Sequence, residues 1–219
     1  MTISVYTGTT GSGKSLHAAS EIRFQLNRPH PHPVIANFDI NSSVVKRYDL
    51  FTYRPNEKLT AEWLKRYATD FWQAPDAPPF REDYITLVVD EAQLLYNSRL
   101  WTAKDRMSYI SFLSQSRKYG YNVILIAQSA KMIDNQFRML VDFEVNHRKL
   151  SSMGLIGDML HILTFGRLFC RVTTNFQCNE HLGTSFYIGR KRDMALYDSY
   201  STFDPTDTQR RANPEPEPS

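Results

Sequence analysis

The sequence predicts an α/β fold in which a doubly wound, mostly parallel sheet carries helices on both faces. Three apolar runs rich in β-branched residues support this prediction: ISVYT near the N-terminus, ITLVV at 85–89 and NVILIA at 122–127. Such runs are typical of buried parallel strands. Segments whose apolar residues recur at helical spacing separate them. The 219 residues, 42% of them hydrophobic, suffice for one α/β domain with a proper core.

The first strand leads into a loop that fits the pattern GxxxxGK[ST]. Its glycines allow several backbone N–H groups to converge on phosphate oxygens at the start of the following helix. Lys14 is predicted to reach the β- and γ-phosphates of ATP, and the Ser15 hydroxyl to ligate Mg²⁺. A Gly/Ser-rich connection without a ligand is the alternative, but a strand before the loop and helical spacing after it favour the ligand. The predicted nucleotide-binding residues are Gly8, Thr9, Thr10, Gly11, Ser12, Gly13, Lys14 and Ser15.

A second buried strand is predicted over residues 33–38, and residues 39–84 read as an insertion with turns and one helix. The helix is expected to begin near Thr60 and to end before the proline-rich segment 75–79. Its aromatic face predicts core packing rather than base stacking. The residues on that face are Trp63, Leu64, Tyr67 and Phe71.

The third strand, residues 85–89, stops at two adjacent carboxylates, Asp90 and Glu91. Ligands in open α/β sheets lie at the carboxyl ends of the strands. Asp90 is therefore predicted to contribute to the Mg²⁺ site and Glu91 to orient or deprotonate the attacking water. The acids could instead cap the next helix, but the phosphate loop upstream favours the catalytic interpretation.

A helix is predicted over residues 102–119, with Met107, Ile110 and Leu113 facing inward and Gly120 ending it. Arg117 continues that apolar face, which suggests a buried pair or an interface contact.

One predicted role for Arg117 is catalytic, as an arginine finger that reaches the γ-phosphate of a neighbouring subunit. A structural ion pair, or an arginine whose stem lies along the helix end, is the alternative. Arg138 and Arg148 are rival candidates for the finger.

The strand at residues 122–127 ends at Gln128, again at the predicted ligand edge. A side-chain amide there can bond the γ-phosphate or the lytic water, and this predicts a catalytic sensor role. The alternative is a turn residue before the next element.

The C-terminal part of the chain predicts a β extension and a tail. Residues 154–177 are expected to supply one helix and a sheet hairpin, with Ile162, Phe165, Leu168 and Val172 in the core. We place an ATPase domain at residues 1–203, including the β extension at 150–190. The polar, proline-rich residues 204–219 are expected to be a disordered tail or linker.

Charge and cysteine content narrow the function classes. A net charge of +3 does not by itself indicate a nucleic-acid-binding protein. Cys170 and Cys178 lack metal-ligand spacing, which favours reduced thiols and a cytosolic compartment. The N-terminus lacks a secretory signal pattern. The sequence contains no run of about 18 apolar residues, so no membrane span is predicted.

Several segments beyond the phosphate loop carry a resemblance to a known family. They are LVVDEAQLLYNSRLW, FLSQSRKYGYNVILIAQS, the Ile133-Asp134, Arg138 and 146–148 positions, and YDSYSTF. Together these segments resemble the zonular occludens toxin family, over residues 3 to about 203. That family includes filamentous-phage assembly ATPases related to the FtsK and HerA motors, and the resemblance implies a RecA-like P-loop NTPase fold.

The resemblance implies an ATP-driven motor for assembly and extrusion of filamentous virions, on the cytoplasmic face of the host inner membrane. The implied partners are other subunits of a homo-oligomeric ring and the complex of phage coat proteins with phage single-stranded DNA. Family members usually continue into a membrane-spanning helix and a periplasmic domain. We therefore expect membrane association through a further C-terminal segment or a partner protein. A DNA-translocating packaging or conjugation ATPase is the alternative function.

Overall fold

The computed structural model describes residues 2–95, 103–149, 163–164 and 167–197. In this part of the chain eight strands form one sheet. The strands are β1 (Ile3–Thr7), β2 (Val34–Ala36), β3 (Phe51–Tyr53), β4 (Ile85–Val89), β5 (Tyr121–Ile126), β6 (Phe143–Lys149), β7 (Leu168–Asn175) and β8 (Glu180–Ile188).

The sheet has the order β3-β2-β4-β5-β1-β6-β7-β8. All neighbours from β3 to β6 are parallel, whereas β6–β7 and β7–β8 are antiparallel. The prediction of a mostly parallel, doubly wound sheet is therefore confirmed. Parallel strands end at one common edge, which here carries the residues that follow β1, β2, β4 and β5.

Helices cover both faces of the sheet, because successive side chains of each strand point to opposite sides. On one face, α1 (Lys14–Asn27) packs on Val34, Val88 and Ile124. On the other face, α2 (Ala61–Gln73) and α4 (Ala103–Gln115) pack on Leu87 and Leu125. The described chain also contains three single-turn helices: α3 (Ala92–Leu95), α5 (Asn135–Arg138) and α6 (Lys191–Met194).

The start and the packing of α2 agree with the sequence. The hydroxyl of Thr60 accepts a hydrogen bond from the Trp63 N–H at 3.2 Å and so caps the helix. The helix ends at Gln73, before the prolines. Leu64 is fully buried, and Trp63, Tyr67 and Phe71 pack against the same core. The aromatic face is therefore core.

The segment between β2 and β4 contributes a strand that the sequence analysis missed. β3 contains only three residues and pairs in parallel with β2, from Val34 and Phe51 to Ala36 and Tyr53. A run this short has no periodicity by which it could be recognised.

The inward face of α4 differs from the prediction. Met107 is 60% exposed, while Tyr109, Phe112 and Leu113 are buried. These three residues, with the buried Ser116, follow helical spacing and set the face that meets the sheet. Met107 lies on the opposite side. The last predicted turn is a 3₁₀ turn at Ser116–Tyr119, which Gly120 ends with a φ of 76°.

A C-terminal hairpin is present as β7 and β8, with a register shift between Thr173 and Thr174, but its second strand lies beyond the predicted residues 154–177. Cys170 is buried, while Leu168 and Val172 are half-buried. Both cysteines are free thiols. Ile162, Phe165, the helix expected near them and the tail at 204–219 lie outside the described residues. Among the described helices, none combines the length and the apolar character needed to cross a membrane.

Candidate functional site

The phosphate loop connects the carboxyl end of β1 to the first turn of α1. Gly8, Gly11 and Gly13 have φ values of 142°, 73° and 93°, a region that favours glycine. The N–H of Gly8 donates to the carbonyl of Gln128 at 3.3 Å, and the N–H of Ser12 donates to the carbonyl of Thr9 at 3.1 Å. The loop thus curls over the start of a 14-residue helix, where free N–H groups favour an anion.

The donor set of the loop fits a nucleotide phosphate. The Ser12 hydroxyl oxygen is buried and has no hydrogen-bond partner among the described residues. Buried polar atoms are normally paired, so this hydroxyl is available to a ligand. Lys14 and Ser15 begin α1 and supply an ammonium and a hydroxyl. ATP would be held by these groups, and Mg²⁺ by the Ser15 hydroxyl together with the carboxylate side of the site.

Asp90 lies at the carboxyl end of β4, and each of its carboxylate oxygens accepts a hydrogen bond. It is 6% exposed. The N–H of Glu91 donates to its Oδ1 at 2.8 Å, and the Tyr197 hydroxyl donates to its Oδ2 at 3.1 Å. Burial raises the pKa of Asp90, whereas these two hydrogen bonds and the charge of Lys14 lower it. Burial is the larger influence, so the pKa of Asp90 is raised overall.

Asn37, which follows β2, clamps the backbone of Asp90. Its Oδ1 accepts from the Asp90 N–H at 2.7 Å, and its Nδ2 donates to the Asp90 carbonyl at 2.8 Å. Asn37 is 2% exposed. The sequence analysis did not name this residue. Asn37 falls inside the strand predicted over residues 33–38, whereas the observed strand β2 ends at Ala36.

Glu91 has a φ of 49°, unusual for a residue with a side chain. Its carboxylate accepts a hydrogen bond from the Gln93 amide. Backbone strain of this kind persists only where the surroundings enforce it, and it clusters at functional sites. Glu91 directly follows Asp90 at the end of β4, and its carboxylate is bonded to Gln93.

Gln128 lies between the loop and the acid pair. The strand order β4-β5-β1 places the end of β5 between the ends of β4 and β1. Gln128 is exposed, and its carbonyl is bonded to Gly8. The structure therefore brings Lys14, Asp90, Glu91 and Gln128 to one edge of the sheet, as predicted. Their catalytic roles stay predictions.

Arg117 lies at the opposite edge of the sheet. It belongs to the 3₁₀ turn before β5, so the length of β5 separates it from Gln128. The expected burial is wrong: Arg117 is exposed, because the inward face of α4 ends at Ser116. Its Nε donates to Glu82 at 2.6 Å. The structure thus shows the ion-pair alternative, and action on a neighbouring subunit stays a prediction.

The rival arginines lie elsewhere. Arg138 is in α5, within the crossover from β5 to β6, and donates to Asn135 at 2.7 Å. Arg148 is near the end of β6, which runs past the end of β1 on the side of the phosphate loop. Among the three candidate arginines, Arg148 is the one that lies beside the phosphate loop of its own subunit.

A cluster of rings and an arginine supports the loop from the C-terminal hairpin. His17, in the first turn of α1, hydrogen-bonds His147 at 3.0 Å and Arg171 on β7. The Tyr187 hydroxyl on β8 donates to the Gly13 carbonyl at 2.6 Å. A Cβ on Gly13 would lie 2.5 Å from Phe169. The hairpin therefore packs directly against the phosphate loop.

Both histidines of this cluster are neutral at pH 7. Burial is the main cause that lowers the pKa of His17 to about 3 and that of His147 to about 4, and the nearby charge of Arg171 contributes to both shifts. Burial also raises the pKa of Tyr187. The sequence analysis missed the cluster, because its members come from four separate segments of the chain.

The chain is similar to several known proteins. A family model described as zonular occludens toxin (Zot) matches residues 2–203. The Gene 1 protein of Escherichia phage If1 is 26% identical over 186 residues, which cover 77% of this chain and 48% of the relative. The Gene 1 protein of Salmonella phage IKe is 27% identical over 182 residues, which cover 77% and 46%. The chain spans about half the length of the curated relatives it matches.

Two solved structures show the same fold. The N-terminal domain of zonular occludens toxin from Neisseria meningitidis has a TM-score of 0.56 at 17% identity, covering 90% of this chain and 98% of that chain. B204, the DNA-packaging ATPase from Sulfolobus Turreted Icosahedral Virus, has a TM-score of 0.50 at 15% identity, covering 86% and 98%.

Proposed function

We propose that this chain, which belongs to the zonular occludens toxin family, is an ATP-hydrolysing motor that drives the assembly and extrusion of filamentous-phage virions. The observation that carries the enzymatic part is the arrangement at one edge of the sheet. The phosphate loop, Asp90, Glu91 and Gln128 follow β1, β4 and β5, which are neighbours in the sheet. The family membership and the phage Gene 1 relatives support the biological part.

The chemistry assigned to each residue follows from its type and place. Lys14 and the loop N–H groups bind the β- and γ-phosphates, and Ser15 and Asp90 hold Mg²⁺, which neutralises charge that develops on the phosphate oxygens. Glu91 accepts the proton of the attacking water. Gln128, between the two sides of the site, orients that water or the γ-phosphate.

We further propose that the chain works as a homo-oligomeric ring on the complex of coat proteins and phage single-stranded DNA, at the cytoplasmic face of the host inner membrane. A further segment or a partner protein supplies the membrane attachment. Arg117 is placed far from the site of its own subunit, which is consistent with action on a neighbour in such a ring.

Virion release by cells that carry the parent phage tests the motor function. With Lys14→Ala in the phage gene, we expect phage DNA to accumulate in the cells while extruded virions are absent. The intact gene supplied from a plasmid restores release. Normal release by a Lys14→Ala phage that makes no other copy of the protein would contradict the proposal.

A second measurement, the response of ATP hydrolysis to added DNA, distinguishes the virion-assembly motor from the DNA-translocating alternative. A motor of that kind hydrolyses ATP faster when double-stranded DNA is added and displaces a bound strand or roadblock. A virion-assembly motor responds instead to the coat protein complex. Strong stimulation by duplex DNA alone would favour the alternative.

A further inference from the structure

The chain after β8 returns to the nucleotide edge of the sheet. α6 packs against α1, where Asp193, 3% exposed, pairs with Arg23. Leu196 is 1% exposed in the core of that face, and its carbonyl accepts from the Asn41 N–H at 2.9 Å. These contacts fix the path of residues 191–197, a path that ends at the site.

Tyr197 makes the last described contact of this path, and it makes it with Asp90. Its ring lies against Phe38 with the centroids 4.3 Å apart. Its hydroxyl donates to Asp90 Oδ2 at 3.1 Å. Phe38 follows Asn37, the residue that clamps the Asp90 backbone. Tyr197 thus holds the side chain of Asp90, and Asn37 holds its backbone.

The carboxylate keeps room for a metal-bound water. An ionised carboxylate accepts about four hydrogen bonds. Here the Glu91 N–H and the Tyr197 hydroxyl each donate one, so acceptor capacity remains on the carboxylate. Tyr197 therefore orients Asp90 without blocking it.

We propose that Tyr197 is a positioning residue for the Mg²⁺ site and that, through it, docking of residues 191–197 and binding of Mg²⁺ with ATP favour each other. The inference rests on the proposed function, since it assigns Asp90 to the metal. Coupling between two binding events is reciprocal: if docked Tyr197 improves metal binding, bound metal stabilises the docked segment. Tyr197 is also the first residue of YDSYSTF, a segment to which the proposed function gives no role.

Tyr197→Phe removes the hydroxyl and keeps the ring on Phe38. The measurement is binding of a fluorescent ATP analogue to the full chain as MgCl₂ is titrated, and again in EDTA. We expect the Mg²⁺ concentration at half-saturation to rise about fivefold, the net worth of one typical hydrogen bond. Affinity in EDTA stays unchanged.

Tyr48→Phe is the matched control, because the Tyr48 hydroxyl donates to the carboxylate of Asp39 at 3.2 Å outside the site. It should leave the Mg²⁺ response at the wild-type value. A Tyr197→Phe response equal to that of Tyr48→Phe would overturn the proposal.

Combining Tyr197→Phe with Asp90→Asn tests whether Tyr197 changes the Mg²⁺ response through Asp90. If Tyr197 acts through Asp90, adding Tyr197→Phe to Asp90→Asn causes no further shift. A fivefold further shift would mean that Tyr197 acts elsewhere and would overturn the proposal. Absence of Mg²⁺-dependent nucleotide binding in the wild type would instead overturn the proposed function itself.

Hydrogen exchange measures the reciprocal effect, that of bound Mg²⁺ and nucleotide on the docking of residues 191–197. With Mg²⁺ and a non-hydrolysable ATP analogue, amides of residues 191–197 should exchange several-fold more slowly in the wild type and not in Tyr197→Phe. A purely structural tyrosine would give the same exchange with and without the ligand. That result would overturn the coupling.

Discussion

The two edges of the parallel sheet both carry charged side chains, but they hold them differently. At the carboxyl edge, Asp90 is 6% exposed and receives hydrogen bonds from the Glu91 backbone and from Tyr197. At the amino edge, Arg117 and Glu82 form a pair whose side chains are 67% and 39% exposed. A buried charge with fixed donors keeps its position, whereas an exposed pair is screened by water and salt. Of the two edges, the carboxyl edge is therefore the one that holds its charged side chain in a fixed position within one subunit.

The largest effect is expected at the carboxyl edge itself, on turnover. Glu91→Gln keeps the shape of the side chain and the Gln93 neighbour but loses the proton acceptor. ATP hydrolysis should fall by roughly 1,000-fold, while nucleotide affinity stays near the wild-type value. Steady-state phosphate release and equilibrium binding measure the two quantities.

Lys14→Ala should affect binding where Glu91→Gln affects turnover. It should weaken nucleotide binding about 100-fold, because it removes a charge-assisted contact. Undiminished hydrolysis by Glu91→Gln would contradict the role of Glu91 as the base.

Next in size is the loss of the clamp on Asp90. Asn37→Ala leaves the buried N–H and carbonyl of Asp90 without their partner, which should lower the free energy of unfolding by about 3 kcal/mol. Urea denaturation measures it. Asn41→Ala, which removes an exposed acceptor of the Ser43 N–H, is the control and should cost less than about 1 kcal/mol. Equal costs would show that the clamp adds nothing.

Acid is expected to destabilise the chain through the histidines behind the loop. The pKa of His17 is about 3 and that of His147 about 4 in the folded chain, against about 6.5 when unfolded. The unfolded chain therefore binds more protons below pH 6.5. The free energy of unfolding should fall as pH drops from 6.5 to 4, by up to roughly 1.4 kcal/mol per pH unit for each histidine.

Denaturation at a series of pH values measures this slope. His17→Gln should flatten it, whereas His30→Gln, at an exposed histidine, should not. Equal slopes in both variants would contradict the burial argument. Above pH 6.5 the two histidines should contribute no slope.

The smallest effect is expected at the amino edge. Arg117→Ala and Glu82→Ala each break the same exposed pair, so both should leave the free energy of unfolding nearly unchanged. If Arg117 acts on a neighbouring subunit, Arg117→Ala alone should lose ATPase activity in the assembled protein, and Glu82→Ala should keep it. If Arg117→Ala and Glu82→Ala have equal ATPase activities, Arg117 serves only in the ion pair. The amino edge then has no part in catalysis.

The comparison also shows which parts of the site a sequence can reveal. Lys14, Asp90 and Gln128 each follow a recognisable buried strand, and parallel strands end at one edge, so local patterns and topology place them together. Asn37 follows a strand of only three residues, and its importance comes from a bond to Asp90, 53 positions away. Tyr197 and Tyr187 reach the site over 107 and 174 positions. Hydrophobic periodicity carries no information about such contacts.

The bond from Tyr187 to Gly13 has a consequence for how the protein is made. Its two residues stand 174 positions apart, and β1 pairs on both sides with strands from the second half of the chain. Contacts between distant segments form only after both have been synthesised. A nascent chain on the ribosome therefore displays the GTTGSGKS segment long before that segment has the hairpin that supports it. We therefore expect the loop to reach its supported conformation only after the residues up to Tyr187 have been synthesised.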